Sequence, residues 1–263
     1  MTEPIEPGKN FPALTKPGEV VRFITQTLES LAGDDAYRQG VTRFVPGAGV
    51  VYGVRVPRLR ELAGQIRKVY RSQPELVVEI AKQCWQVASR EHCVLAILIL
   101  SGMKSLTPAQ RWELGLHFLP GVRDWETCDQ LCMGLLGQAL AEDVHYMDKL
   151  EDWIQAENVW FRRACLASTV VLRRAKFELE TLLSLNQRTL SICLSLLDDR
   201  EHYVRTAVDW AVREVIGRNY DLGRQWLMDR TGSELTSVAR STLKKAAKKL
   251  RAEDQEHFLQ CLG

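Results

Sequence analysis

The chain has 263 residues, of which 46% are hydrophobic and 26% charged, the mixture of a folded globular protein and not of a disordered one. Its longest apolar run, residues 93–100, is far short of the ~20 residues a bilayer crossing needs, and the prolines and acids at Glu3, Pro4, Glu6 and Pro7 do not read as a signal peptide, so cytoplasm is the expected compartment. Net charge is only +2, too little for the whole surface to attract a polyanion without local concentration of the basic residues.

Four of the nine prolines fall in residues 1–17, which read as a flexible tail, leaving 18–263 as a single domain. The first helix is expected over Pro17–Leu31, with Val20, Val21, Ile24, Leu28 and Leu31 on one face. A short helix follows near Ala36–Phe44, then a glycine-rich loop at Pro46–Gly49. Pro57 suits the first turn of a helix over Arg58–Arg71, because its missing N–H is an orphan there anyway. Pro74–Ser89, Arg90–Met103, Pro108–Leu119, Asp124–Ala141, Val144–Gln155 and Val159–Arg173 come next. Phe177–Leu185, Arg188–Leu197, Glu201–Arg218, Leu222–Met228, Glu234–Leu250 and Asp254–Leu262 complete the series. No segment shows a period-2 strand pattern between turn signals, so the class is all-α.

Seven cysteines, at 84, 93, 128, 132, 165, 193 and 261, are odd in number and lie mostly in apolar helical runs, which suits reduced thiols better than a disulfide framework. Cys128 and Cys132 share a helix face, but no Cys-x-x-Cys pair and no histidine cluster at ligand spacing accompanies them. No metal or cofactor is expected. The basic residues are unevenly spread. Residues 158–176 carry Arg162, Arg163, Arg173, Arg174 and Lys176 with no acid, and residues 236–251 carry Arg240, Lys244, Lys245, Lys248, Lys249 and Arg251 with none. Glu142, Asp143, Asp148, Glu151 and Asp152 form an acidic counterpart. Such polarity offers a basic face to a polyanion.

Four segments can be laid on one another: those beginning His92, Trp125, Trp160 and Tyr203. Each opens on an aromatic or imidazole ring and runs into an apolar helix. Four residues on, three carry a small packing residue (Ala96, Ala164, Ala207) and the other carries Asp129. The starts lie 33, 35 and 43 residues apart, a period that suggests an α-solenoid of degenerate HEAT-like antiparallel helix pairs, curved around a concave groove. Asp124 fits an N-cap for the helix bearing Trp125 and Asp129, which share a face at i, i+4. Asp129 has two readings on spacing alone: a carboxylate placed where its sisters pack, or an ordinary charge near a helix start. Trp160, Arg162 and Arg163 share the first turn of one helix. Tyr203, Arg205, Trp210 and Arg213 line another, where Trp210 could be a core aromatic and Arg205 could pair with Asp209.

Together, Trp125-x-x-x-Asp129, Trp160-x-x-Arg163 and Tyr203-x6-Trp210-x-x-Arg213 resemble the HEAT-like-repeat DNA alkylation repair glycosylases of the AlkD type. The stretch Tyr52-Gly53-Val54-Arg55-Val56-Pro57-Arg58-x-Arg60 resembles that family's N-terminal signature, and Trp85 followed by Arg90-Glu91 also fits. The similarity covers roughly residues 18–250. The resemblance implies a monomeric enzyme that hydrolyses the N-glycosidic bond of cationic N3- or N7-alkylated purines in double-stranded DNA, without flipping the base into a pocket. It makes Asp129 the catalytic carboxylate, flanked by Trp125 and Trp210. Arg163 and Arg213 become phosphate ligands, with Arg162, Trp160, Tyr203, Arg205, Arg240, Lys244 and Lys248 in the DNA-binding surface. The longer stretch between Tyr37 and Gly53 departs from the family pattern and leaves N-terminal DNA contacts open. Two other functions remain open at this stage: a HEAT-like-repeat protein that binds branched or distorted DNA without excision, and a protein-interaction scaffold.

Overall fold

A computed structural model describes residues 11–263 apart from Ser233. Among the described residues there are fifteen α-helices and no β-strand, only two isolated bridges from Gly49 and Val50 to Ser89. In chain order they are α1 (Pro17–Leu31), α2 (Asp35–Phe44), α3 (Val56–Val69), α4 (Pro74–Val87), α5 (Arg90–Ser101), α6 (Pro108–Phe118), α7 (Trp125–Leu131) and α8 (Gly137–Glu142). Then follow α9 (Tyr146–Glu151), α10 (Val159–Ala167), α11 (Leu179–Ser195), α12 (His202–Arg218), α13 (Tyr220–Met228), α14 (Ser237–Ala246) and α15 (Ala252–Leu262). No helix among these residues is long and apolar enough to cross a membrane. The chain divides into two compact units, one ending at Leu135 and one starting at Leu136.

The first unit is built around α5. Val94, Leu95, Ala96, Ile97, Ile99 and Leu100 are all buried, so the helix is apolar on nearly every side, as a core helix must be. It packs against α3, α4 and α7, while α1 packs on α4. Each such Val, Leu or Ile side chain taken from water contributes roughly 1.5–3 kcal/mol. The tail expected over residues 1–17 lies outside the described residues for 1–10. Phe11 is buried edge-on to Phe23 at 5.3 Å, and the Leu14 N–H donates to the Tyr70 hydroxyl at 3.0 Å. The chain is therefore tied down from Phe11 onward.

In the second unit the same part is taken by α12, which packs against α10, α11, α13 and α14. Its buried stripe, Val204, Ala207, Val208, Ala211, Val212, Val215 and Ile216, has the 3.6-residue period of a helix with one solvated face. Two helices expected over 177–185 and 188–197 are one continuous helix, α11. The polar triplet at its middle does not break it, because Asn186 is buried and Arg188 reaches out to Asp148 and Glu151 at 2.5–2.7 Å. The helix expected over 124–141 contains a π-helical segment, Cys132–Leu136, between α7 and α8. Helices α10 and α14 end in 3-10 turns, Ser168–Arg173 and Ala247–Lys249.

Candidate active site and nucleic-acid contacts

In the first unit the candidate residues stand on α7. Asp124 caps it as its position suggests: one carboxylate oxygen accepts the Thr127 N–H and the other the Thr127 hydroxyl, both at 2.8 Å. Burial pushes the Asp124 carboxyl upward in pKa, and the two Thr127 bonds oppose that. The next turn is clamped from beneath. Arg90 is buried and donates to both carboxylate oxygens of Glu126 at 2.7 Å, in the forked geometry that a guanidinium favours. Its remaining nitrogen atom donates to the Val54 carbonyl and to Glu91, each at 3.1 Å. Glu91, wholly buried, accepts the backbone N–H groups of Tyr52, Gly53 and Val54 at 2.9–3.2 Å. The opening of the Tyr52–Arg60 signature, residues 52–54, is thus a backbone loop held by an acid on α5, and the rest of it runs into α3. Gly53 turns it with φ of +86°, where a Cβ would press on Arg38.

Trp125 is half-buried against Val41, Val45 and Ala48, and its indole N–H donates to the Phe44 carbonyl at 2.9 Å. The glycine-rich loop passes close by. Gly47 has φ of +95°, and a Cβ there would lie 2.3 Å from the Arg123 carbonyl oxygen. The long stretch after Tyr37 is accordingly part of the seat of Trp125. One turn further along α7, Asp129 is only 8% exposed. Its counterparts Ala96, Ala164 and Ala207 are buried as well, so the carboxylate occupies a packing position and is no exposed helix-start charge. His92, the counterpart of Trp125, is a core residue between the Ser89 and Thr25 hydroxyls at 2.7 and 2.9 Å. Burial lowers its pKa to about 4.

In the second unit α10 and α12 pack together and bring Trp160, Arg163 and Tyr203 into one cluster. Asn158 caps α10 by accepting the Trp160 N–H at 2.9 Å. The Trp160 and Tyr203 rings stack at 5.3 Å with a 36° tilt. Arg163 is buried and donates to the Tyr203 carbonyl and, at 3.0 Å, to the Thr206 hydroxyl. Arg162 points elsewhere: it forks onto Asp199 at 2.7 and 3.2 Å and donates to the carbonyls of Ala156 and Glu157. It brackets the start of α10 to the turn before α12.

Further along α12, Trp210 is half-buried and donates to Glu214 at 3.2 Å, while Arg173 pairs with the same carboxylate at 2.9 Å. Arg213 is 40% exposed and forks onto Asp209, one turn back, at 2.9 and 3.2 Å. Asp209 therefore serves Arg213, and Arg205 instead donates to the Asp199 carbonyl at 2.5 Å. Arg240 donates to the Leu262 carbonyl and Lys244 to the Gly263 carbonyl at 3.2 Å. Lys248 is exposed on the turn after α14. Residues that periodicity did not single out are His202, Ser237, Ser241 and Lys245, which line a cleft between α12 and α14. The acid-free run 236–251 pointed toward the three on α14, and no sequence signal pointed to His202.

Burial leaves little chemistry to six of the seven thiols, Cys261 being exposed. Cys84, Cys128, Cys132, Cys165 and Cys193 are buried, and Cys93, half-buried, is pushed up to about 12 by desolvation. Among the described residues no group of three or more His, Cys, Asp or Glu side chains converges as a metal would require.

The family model described as DNA alkylation repair enzyme matches residues 24–250, and the chain belongs to that family. A solved structure described as a predicted DNA alkylation repair enzyme from Enterococcus faecalis superposes with a TM-score of 0.65. It is 16% identical over 82% of this chain and 96% of that one, a likeness of fold. No curated protein matches the chain.

Proposed function

We propose that this DNA alkylation repair enzyme is an N-glycosylase that releases positively charged N3- or N7-alkylated purines from duplex DNA. The observation that carries the reading is the place of Asp129: a carboxylate buried where equivalent helices bury alanine, one turn after a tryptophan anchored by its own N–H. A carboxylate held at a position whose equivalents carry alanine suits a site that uses the charge.

In the proposed reaction the bond between C1′ and the base nitrogen breaks first. Its electron pair passes to the base, which leaves neutral and needs no strong general acid. Positive charge develops on the sugar, and Asp129 stabilises it in a site of low dielectric. A water oxygen then bonds to C1′, and its proton passes to the Asp129 carboxylate and on to solvent. Trp125, on the same helix as Asp129, offers its π face to the charge on the sugar, and Trp210 is given a like role by the resemblance alone. Arg213 holds a phosphate beside the lesion, the buried Arg163 and Trp160 position the Tyr203 end of α12, and Tyr203, Arg205, Arg240, Lys244 and Lys248 extend the contact along the strand. Arg162 takes part as a positioning residue through Asp199. The helix pairs are read as degenerate HEAT-like repeats that grip the DNA backbone, so the base need not enter a pocket. The protein acts as a monomer in the cytoplasm.

The test is release of free 7-methylguanine from methylated duplex DNA by the full chain. Release above the spontaneous rate supports the reading. No release, with tight binding to branched or distorted DNA, replaces it with the non-catalytic function.

A further inference from the structure

Six arginines of the second unit are matched with carboxylates: Arg162 with Asp199, Arg173 with Glu214, Arg188 with Asp148 and Glu151, Arg200 with Glu201, Arg213 with Asp209, and Arg224 with Asp254. Arg205 and Lys245 are different. Among the described residues neither has a carboxylate at ion-pair distance, and both line one cleft of about 280 Å³ between α12 and α14.

The cleft is built by helical spacing. On α12, His202, Arg205 and Thr206 stand at i, i+3, i+4; on α14, Ser237, Ser241 and Lys245 stand at i, i+4, i+8. Each set is one face. The lining holds two permanent cations, an imidazole and several hydroxyls, and no acid. The acids nearest in sequence each have a partner outside the lining: Glu201 lies 3.7 Å from Arg200. Asp199 takes the Arg162 fork and the Glu201 N–H, and Asp198 accepts the Thr236 hydroxyl. Arg205 is steadied by a neutral carbonyl, that of Asp199, which fixes its direction without cancelling its charge. The cleft also lies at the first turn of α14, whose leading N–H groups lack carbonyl partners from a preceding turn. The local field is visible at His202: desolvation first, then the charges of Lys245, Arg205 and Arg163, lower its pKa.

We propose that the α12–α14 cleft is a phosphate-binding site, in which Arg205 and Lys245 neutralise a tetrahedral oxyanion and Ser237 and Ser241 offer it hydroxyl donors, while the Thr206 hydroxyl is engaged by the Tyr203 carbonyl and Arg163. The phosphate can be a diester of a DNA strand or a free phosphate, and the two sources demand the same chemistry from the cleft. The site does not depend on glycosidic cleavage, and a protein that excised nothing could still use it.

The experiment follows the His202 imidazole resonance of the full-length protein, assigned by loss in His202→Gln, during titration with inorganic phosphate at ionic strength held constant with chloride. A saturable shift is expected. It should weaken roughly tenfold or more in Lys245→Gln, the loss of one charge-assisted contact, and vanish in Ser241→Asp, which places a carboxylate in the cleft. Melting temperatures of both exposed-site variants check that they fold. A second arm adds an undamaged DNA duplex. If the duplex displaces phosphate and Lys245→Gln lowers the salt slope of duplex affinity by about 1, the strand is the source. If phosphate binds and the duplex neither competes nor changes slope, the cleft holds free phosphate. An unmoved His202 resonance in both arms, or an equal shift in wild type and Ser241→Asp, overturns the proposal. Base excision is not a readout, so failure here is separate from failure of the glycosylase reading.

Discussion

Arg90 holds Glu126 by two hydrogen bonds of 2.7 Å, fixing α5 to the first turn of α7 between Trp125 and Thr127. The same guanidinium bonds Glu91 and the Val54 carbonyl, so one buried cation ties three pieces of chain together. Its burial disfavours the charge, and the Glu126 and Glu91 carboxylates outweigh that and raise its pKa. Arg90→Met should leave a wholly buried and a nearly buried acid without their cation. A loss of about 3–5 kcal/mol in urea unfolding is expected. A loss below about 1 kcal/mol would show that the pair carries little.

His92 gives the protein a pH dependence of calculable sign. The folded pKa is about 4 and the ordinary value 6.5, so between these limits the unfolded chain binds a proton that the folded chain refuses. Stability is therefore complete above about pH 6.5 and is lost as pH falls toward 4, by about 3 kcal/mol over the window. The measurement is the urea midpoint at pH 7.5 and pH 4.5 for wild type and His92→Gln. A smaller fall in the variant is expected, and parallel curves would contradict the assignment.

Gly47 has a positive φ and lies against the Arg123 carbonyl. Gly47→Ala should cost about 1–3 kcal/mol for the backbone conformation alone, with displacement of the loop that follows α2 and its terminal Phe44 carbonyl. Because that carbonyl holds the Trp125 indole, single-turnover excision should fall further than DNA affinity does. Unchanged unfolding and excision would sever the loop from the site.

The order of the helices was legible because prolines mark their starts: Pro17, Pro57, Pro74 and Pro108 all stand in a first turn. Asp124 was legible as a cap for the same local reason. What was hidden depends on contacts far apart in sequence. Asn186 looked like a break and is a buried helical residue. Phe11 looked like tail and finds Phe23 and Tyr70. The π segment at 132–136 has no local sequence signature; Gly134 there is pressed against Ile97 and Ser101. At the candidate site, the aromatic and carboxylate positions followed from register alone. The partners of the arginines did not, since Arg162 meets Asp199 across 37 residues.

Arg162 and Arg213 should accordingly behave differently when each is changed to alanine. Arg213 is held at the surface by a single acid, and its removal should lower DNA affinity on all sequences alike and reduce the salt slope by about 1. Stability should change by about 1 kcal/mol or less, since water screens the partly exposed guanidinium in its pairing with Asp209. Arg162 is a buried bracket, and its removal should cost about 3–5 kcal/mol of stability. Binding titrations and urea melts on the same preparations check both. Equal destabilisation by the two changes would contradict the distinction.

The central claim concerns Asp129, and Asp129→Asn tests it most directly. Asparagine keeps the size and most hydrogen bonding of the buried side chain but removes the charge. The measurement is single-turnover release of 7-methylguanine from methylated duplex DNA, with DNA affinity and melting temperature taken on the same protein. The account predicts a rate lower by roughly 10²–10³, affinity unchanged or slightly tighter because a negative charge has left the site, and a melting temperature close to wild type. Excision at the wild-type rate would contradict it, and parallel loss of rate, affinity and stability would show that Asp129 holds the fold and not the reaction.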